Sequence, residues 1–316
     1  SERGFPDFSQ SSSYNIQWNH SQDQKSSPSS RFNASVNFGS SRYFQQSINQ
    51  FNNSSALINT LNSSVSYSKT FEGEPQINTS VALNLQQNTQ TEKINLSLPN
   101  INANMARVFP FAPKNGSKKG ILQNINFQYD VTAQNRIQTT DSLFLKSEMF
   151  DNAIMGVQHR IPLSTNFKIL NYLSASASST FTETWSFTTF KQRYDQNLNQ
   201  GIGGVVIDTV RGFDSYRTYN FNMSLGTTLY GMFNVGDEQS RIQKIRHVVR
   251  PSISYNINPS FDQYYDQYVV PFTADPEINQ EIVQYSRFEN TLFGAPGQRF
   301  SSNIGMIKTD IVIIGA

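Results

Sequence analysis

The segment from Arg246 to Phe261, RHVVRPSISYNINPSF, alternates with a period of two. From Ile245 the odd positions carry Ile245, His247, Val249, Pro251, Ile253, Tyr255 and Ile257. The even positions carry Lys244, Arg246, Val248, Arg250, Ser252, Ser254, Asn256 and Asn258. Successive side chains of a strand point to opposite faces, so this spacing predicts a β-strand lying between two unlike solvents. A soluble sheet packed on a core alternates in the same way, so recurrence and segment length have to identify those solvents.

The pattern recurs along the chain. It is present in Tyr14, Ile16, Trp18, His20; in Phe32 to Phe38; in Leu61 to Tyr67; in Ile77 to Leu85; in Ile94, Leu96, Leu98; and in Ile125 to Val131. Further copies run through Ala153 to Ile161, Phe167 and Ile169, Leu173 to Ala177, Phe181 to Phe187 and Tyr219 to Leu225. Most approach the ~10 residues of a membrane-barrel strand, whereas strands of soluble proteins run about five or six. Lys114 to Gly120, KNGSKKG, is a turn signal. The polar segments Lys191 to Asn199, Asp208 to Arg217 and Ser260 to Gln280 read as outside loops, and a polar stretch around Gln45 to Ser55 interrupts the alternation.

Composition fits a closed barrel with a wet lumen and an oily outside. Only 15% of the 316 residues are charged, yet there are 24 Phe and 14 Tyr, against about 25% charged residues in a soluble domain and few aromatics in a disordered one. The net charge of +2 gives no electrostatic case for nucleic acid. Without cysteine, and with histidine only at His20, His159 and His247, metal-ligand spacing is absent and no cofactor is expected. No apolar run reaches the roughly 20 residues of a membrane helix, so a bilayer would have to be crossed by a barrel. The expected fold class is therefore all-β, an antiparallel transmembrane β-barrel, large and incomplete in this chain.

Ser1-Glu2-Arg3-Gly4 shows neither the basic nor the apolar region of a signal peptide, which reads as an interior piece of something longer. Residues 1–305 are assigned to the barrel and 306–316 to an unassigned tail. That tail, MIKTDIVIIGA, carries a continuous apolar run ending in Gly315 and looks like the opening strand of a flavin- or NAD(P)-binding Rossmann domain. A fusion or assembly scar, or simply another apolar strand, is the reading preferred.

At FPDF (Phe5 to Phe8), SYNIQWNHSQD (Ser13 to Asp23), RFNASVNFGSS (Arg31 to Ser41), RHVVRPSISYNINPSF and YSRFENTLFGAP (Tyr285 to Pro296), the chain resembles the outer-membrane lipopolysaccharide-assembly protein, the LptD family. The resemblance extends to about Gln298, and the last residues, Met306 to Ala316, look foreign to it. It implies a many-stranded barrel in the Gram-negative outer membrane, preceded by a periplasmic jelly roll, plugged by a lipoprotein of the LptE type and opening sideways at a seam. Such a protein takes lipopolysaccharide from periplasmic bridge proteins and releases it among membrane lipids of the outer leaflet. The jelly roll and both seam strands are expected to be missing here, so no gate residue is carried over and Pro251 is not read as a gate proline.

Within that frame Lys244, Arg246 and Arg250 form a lumenal basic stripe, which would meet lipid phosphates, anionic core sugars or a plug's carboxylates, or would simply be solvated charge. Tyr14, Trp18, Trp185, Tyr219 and Tyr255 are read as an interfacial aromatic girdle. Glu183 shares the face of Phe181, Trp185 and Phe187 and is expected at headgroup level. His159 and His247 are read as interface packing, and no catalytic residue is assigned. The leading function is a non-enzymatic translocon component that inserts lipopolysaccharide. The alternatives are a barrel enzyme acting on lipid A or peptides, another outer-membrane channel or receptor, and a soluble β-rich adhesin whose apolar faces would meet in a sandwich.

Overall fold

A computed structural model describes residues 14–40, 60–170, 172–199, 203–234, 244–271 and 280–315. The FPDF motif and the stretch Gln45 to Ser55 lie outside them. The strands are β1 (Asn15–Ser21), β2 (Ser30–Gly39), β3 (Thr60–Phe71), β4 (Ile77–Asn88), β5 (Lys93–Val108), β6 (Asn126–Thr140), β7 (Ile154–Ile169) and β8 (Leu173–Asp195). They continue as β9 (Gly204–Gly226), β10 (Leu229–Asn234), β11 (Lys244–Asn258), β12 (Tyr265–Pro271), β13 (Gln280–Ser286) and β14 (Ser301–Gly315). Among the described residues the only α-helix is the four-residue α1 (Gly120–Gln123), and no helix is long and apolar enough to cross a membrane.

Neighbours in sequence are neighbours in the sheet. Its order is β1-β2-β3-β4-β5-β6-β7-β8-β9-β11-β10, with β14 on the other edge of β11, while β12 and β13 form a separate hairpin. Such a meander is what short connections between antiparallel strands produce. β9 and β10 keep one register along β11, Gly226 opposite Ser252 and Leu229 opposite Val249. They are one strand interrupted at Thr227 and Thr228. The cause is Pro251: Thr227 N donates to Pro251 O at 3.1 Å, but proline has no N–H to return the second bond of the pair. Along β14 the register runs unbroken past Pro251.

The chain divides into two compact units, and the division passes through β5, β6 and β7. In the first, residues 1–104 and 131–157, cross-strand pairs sort by polarity. Trp18 faces Val36, Ala34 faces Val65, and Val65 faces Leu83. On the opposite face Asn19 meets Ser35 and Ser64 meets Asn84, and Ser35 Oγ donates to Asn19 Oδ1 at 3.0 Å. At one end the apolar rows are not open. Phe38, Ile94, Leu96 and Ile137 are buried with Met149 and Phe144 of the β6–β7 connection. That part of the apolar rows is covered because the connection folds back over the strand ends.

In the second unit, residues 105–130 and 158–316, β8 and β9 are 23 residues each and pair along their length, with a bulge between Ser186 and Thr188. The segments Lys191 to Asp195 and Asp208 to Arg217, read from composition as loop, are strand. Polar composition misled because these ends exceed the 9–11 residues that cross a bilayer and are tied by cross-strand charge, Arg193 Nε to Asp208 Oδ2 at 3.0 Å. The separate segments at Ala153 to Ile161 and Phe167 to Ile169 likewise merge into β7. Ser301 to Gly315, which includes most of the residues expected to stand apart as a tail, pairs with β11 from end to end.

Candidate functional site on the polar face

One face of β8, β9, β11 and β14 is a ladder of hydroxyls and amides. Ser176 faces Ser224, which faces Ser254; Ser178 faces Asn222, which faces Asn256. The Ser176 and Ser224 hydroxyls are 2.6 Å apart, and Asn258 Nδ2 donates to Ser301 Oγ at 3.1 Å. Gly305 allows the close approach of β14, since a Cβ there would meet Ser254 Oγ at 2.8 Å.

Along β8, β9 and β11 the alternation of burial is the reverse of a soluble sheet, whereas in β2, β3 and β5 Ala34, Leu61, Ile94 and Leu96 are buried. Thr184 and Ser186 are 0% and 2% exposed, whereas on the other face Tyr219, Met223 and Tyr255 are exposed by 54%, 42% and 40%. In β4 Val81 and Leu83 are exposed while the alternate positions Ala82 and Asn84 are half-buried. Apolar rows left open and polar rows covered are the pattern of a chain whose outer solvent is hydrocarbon.

The cover over β8 and β9 comes from residues 259–271 and 281–300. Phe288 is fully buried against Tyr216, ring centroids 4.8 Å apart, and Tyr264 packs on both. Tyr216 Oη donates to Gly294 O at 2.9 Å, and Arg287 Nε to Asp214 Oδ2 at 2.6 Å. Two backbone amides are held by this segment: Phe190 N donates to Arg287 O at 2.9 Å and Arg217 N to Tyr264 Oη at 3.1 Å. The Asp214 carboxylate, ahead of Asp266 and Tyr264, raises the Arg287 guanidinium above its usual range against its own desolvation, so the cation persists. A cavity of about 600 Å³ remains between the segment and the ladder, lined among others by Arg160, Thr182, Thr184, Thr218 and Arg299. Sequence reading missed these anchors. Their one signal was an aromatic, Tyr216, at a position of the polar row.

Lys244, Arg246 and Arg250 lie exposed on this same face of β11. Among the described residues none pairs with a carboxylate, and the Arg246 guanidinium stands 4.7 Å from the Tyr230 ring centroid. Val248, the one apolar residue of that row, is buried. The five girdle aromatics are dispersed: Tyr14 near Phe38, Trp18 beside His20 and Phe32, Trp185 against His159, Tyr219 edge-on to Phe261, and Tyr255 opposite Met223. Glu183 is paired with Arg217 at 3.0 Å and accepts from Trp185 Nε1 at 3.2 Å, within an aromatic surround that includes Phe213. His159 Nδ1 shares a 2.6 Å hydrogen bond with the Tyr129 hydroxyl. His247 Nε2 lies 3.8 Å from Asp310 Oδ1, beyond hydrogen-bond reach.

No curated protein matches the chain. The family model described as LptD protein matches residues 1–310, five residues into the segment from Met306 that looked foreign. With that match over an antiparallel all-β chain, the protein belongs to the LptD family, outer-membrane β-barrel proteins of lipopolysaccharide transport and assembly.

Proposed function

We propose that this chain is a wall segment of the translocon that inserts lipopolysaccharide into the outer leaflet, and that it acts without covalent chemistry. The observation that carries this is the reversed burial, with Thr184 and Ser186 covered while Tyr219, Met223 and Tyr255 are open. The hydroxyl and amide face is the lumen, along which sugars exchange water for like partners. The exposed apolar rows meet hydrocarbon, and acyl chains reach it where the barrel seam parts. Tyr14, Trp18, Trp185, Tyr219 and Tyr255 mark the interfaces, and Glu183 with Arg217 sits at headgroup level, where a carboxylate costs little. Lys244, Arg246 and Arg250 meet the anionic groups of the cargo or of a plug lipoprotein of the LptE type, and periplasmic bridge proteins deliver the cargo.

Depletion of the protein should remove newly made lipopolysaccharide from the cell surface, with the protein itself in the outer-membrane fraction and heat-modifiable in gel mobility. Unchanged surface lipopolysaccharide on depletion, or turnover of lipid A by the purified protein, would reject the proposal.

A further inference from the structure

A second cavity on the polar face, of about 810 Å³, differs in character from the one beside Phe261 and Arg299. Lys118 and Lys119 of the β5–β6 connection and Lys168 of β7 line it, together with Ser176, Ser224 and Ser252 of β8, β9 and β11. No carboxylate lines it. Among the described residues none of the three lysines has an ion-pair partner, so three lysines line a cavity walled in part by hydroxyls, with no carboxylate in the lining to offset them.

The lysines are placed rather than loose. Lys119 N donates to Gln123 Oε1 at 2.7 Å and Asn124 Nδ2 to Gly120 O at 2.7 Å, which fixes the connection at α1. The Lys118 ammonium lies 2.9 Å from the Phe109 ring centroid. Lys168 stands between Phe167 and Ile169 in an alternating strand, which puts it on the polar side. The Ser176–Ser224 hydroxyl pair, 2.6 Å apart, forms the wall. Arg250 precedes Ser252 on the same face of β11, so the basic stripe ends two residues from a wall residue of this cavity.

We propose that this cavity is a phosphoryl-binding site. A phosphoryl group carries about −1.5 to −2 charge and three acceptor oxygens, which three ammonium groups and adjacent hydroxyls satisfy more fully than they would a carboxylate. Lysine binds phosphate as a point charge without demanding fork geometry, and uncompensated charge in a cleft concentrates anions there. That the carrier is the phosphorylated glucosamine headgroup of lipopolysaccharide rests on the function proposed above; phosphoryl binding itself does not.

The test is equilibrium binding of diphosphoryl lipid A and of its enzymatically dephosphorylated form to the full protein in detergent. The expected result is preference for the phosphorylated form, weakened about tenfold by the triple variant Lys118→Gln, Lys119→Gln, Lys168→Gln, with Lys25→Gln unchanged as a control. Competition by inorganic pyrophosphate at the concentration effective for lipid A assigns the site to the free anion, and its failure to compete assigns it to the headgroup; both support phosphoryl recognition. Heat-modifiable mobility checks folding, and where the triple variant does not fold, Lys168→Glu against Lys168→Arg gives the same readout. Equal binding of both lipids, or affinity insensitive to the lysines, overturns the site and leaves the function standing. Unchanged surface lipopolysaccharide on depletion overturns the function and leaves the binding result standing.

Discussion

Truncating Phe288 to alanine should release residues 281–300, with the β12–β13 hairpin, from β8 and β9. The ring is fully buried, edge-on to Tyr216 and Tyr264, with the Arg287 guanidinium 5.0 Å from its centroid. Removing a buried Phe ring costs about 3–5 kcal/mol, and the two aromatic contacts, at about 0.5–1.5 kcal/mol each, are lost with it rather than added to it. At the lower bound of about 3 kcal/mol, the undocked form becomes about a hundredfold more populated. Amide hydrogen exchange reads this directly, because Phe190 N and Arg217 N are bonded by the docked segment. Both should exchange about a hundredfold faster in Phe288→Ala, while amides of the ladder around Ser176 and Ser224 keep their protection. Unchanged exchange at Phe190 and Arg217 would refute the anchoring role of the ring.

Three further outcomes are expected. Met223→Arg, on the open apolar row between Ala177 and Tyr255, should destabilise folding into lipid by up to about 2–4 kcal/mol, whereas Asn222→Arg should cost under about 1 kcal/mol; equal costs in urea titration would reverse the assignment of faces. Pro251→Ala should restore the missing bond to Thr227 O, seen as a protected amide at position 251, with stability changed by no more than about 1 kcal/mol. Burial, and after it Glu289, raises the Tyr265 hydroxyl above its usual range. Because the folded form then holds its proton longer than the unfolded one, this stability is full below the unfolded value near 10 and is lost as pH rises through the folded one. Ionisation also removes the donor to Pro296 O at 2.6 Å. Proteolysis within residues 281–300 should therefore accelerate above about pH 10, and Tyr265→Phe should reduce that acceleration.

The period-two pattern made the strands and their faces legible, because a barrel repeats one local rule many times. Trp18 opposite Val36 and Asn19 opposite Ser35 follow from alternation alone. What stayed hidden depends on contacts between residues far apart in sequence. Phe261, Tyr264 and Phe288 have no regular spacing and lie in segments dominated by polar residues, so the packing of Phe261 on Tyr219 and of Tyr264 and Phe288 on Tyr216 could not be read locally. The same holds for Phe144 and Met149, which cover Phe38 and Ile94. Asp208 and Arg193 looked like loop residues because charge normally marks solvent, yet charge paired across a strand extension also belongs there. The three lysines of the basic cavity were invisible as a group because two come from a turn and one from a strand.

The neutral ladder of Ser176, Ser224, Ser254, Asn222 and Asn256 has a kinetic consequence. Each rung offers much the same donor and acceptor as the next, so a hydroxyl-rich molecule moving along it trades one bond for an equivalent one. For an uncharged hydroxyl-rich group such a surface presents a shallow, corrugated energy profile, so that only charged groups find a deeper well, where the lysines line the wall.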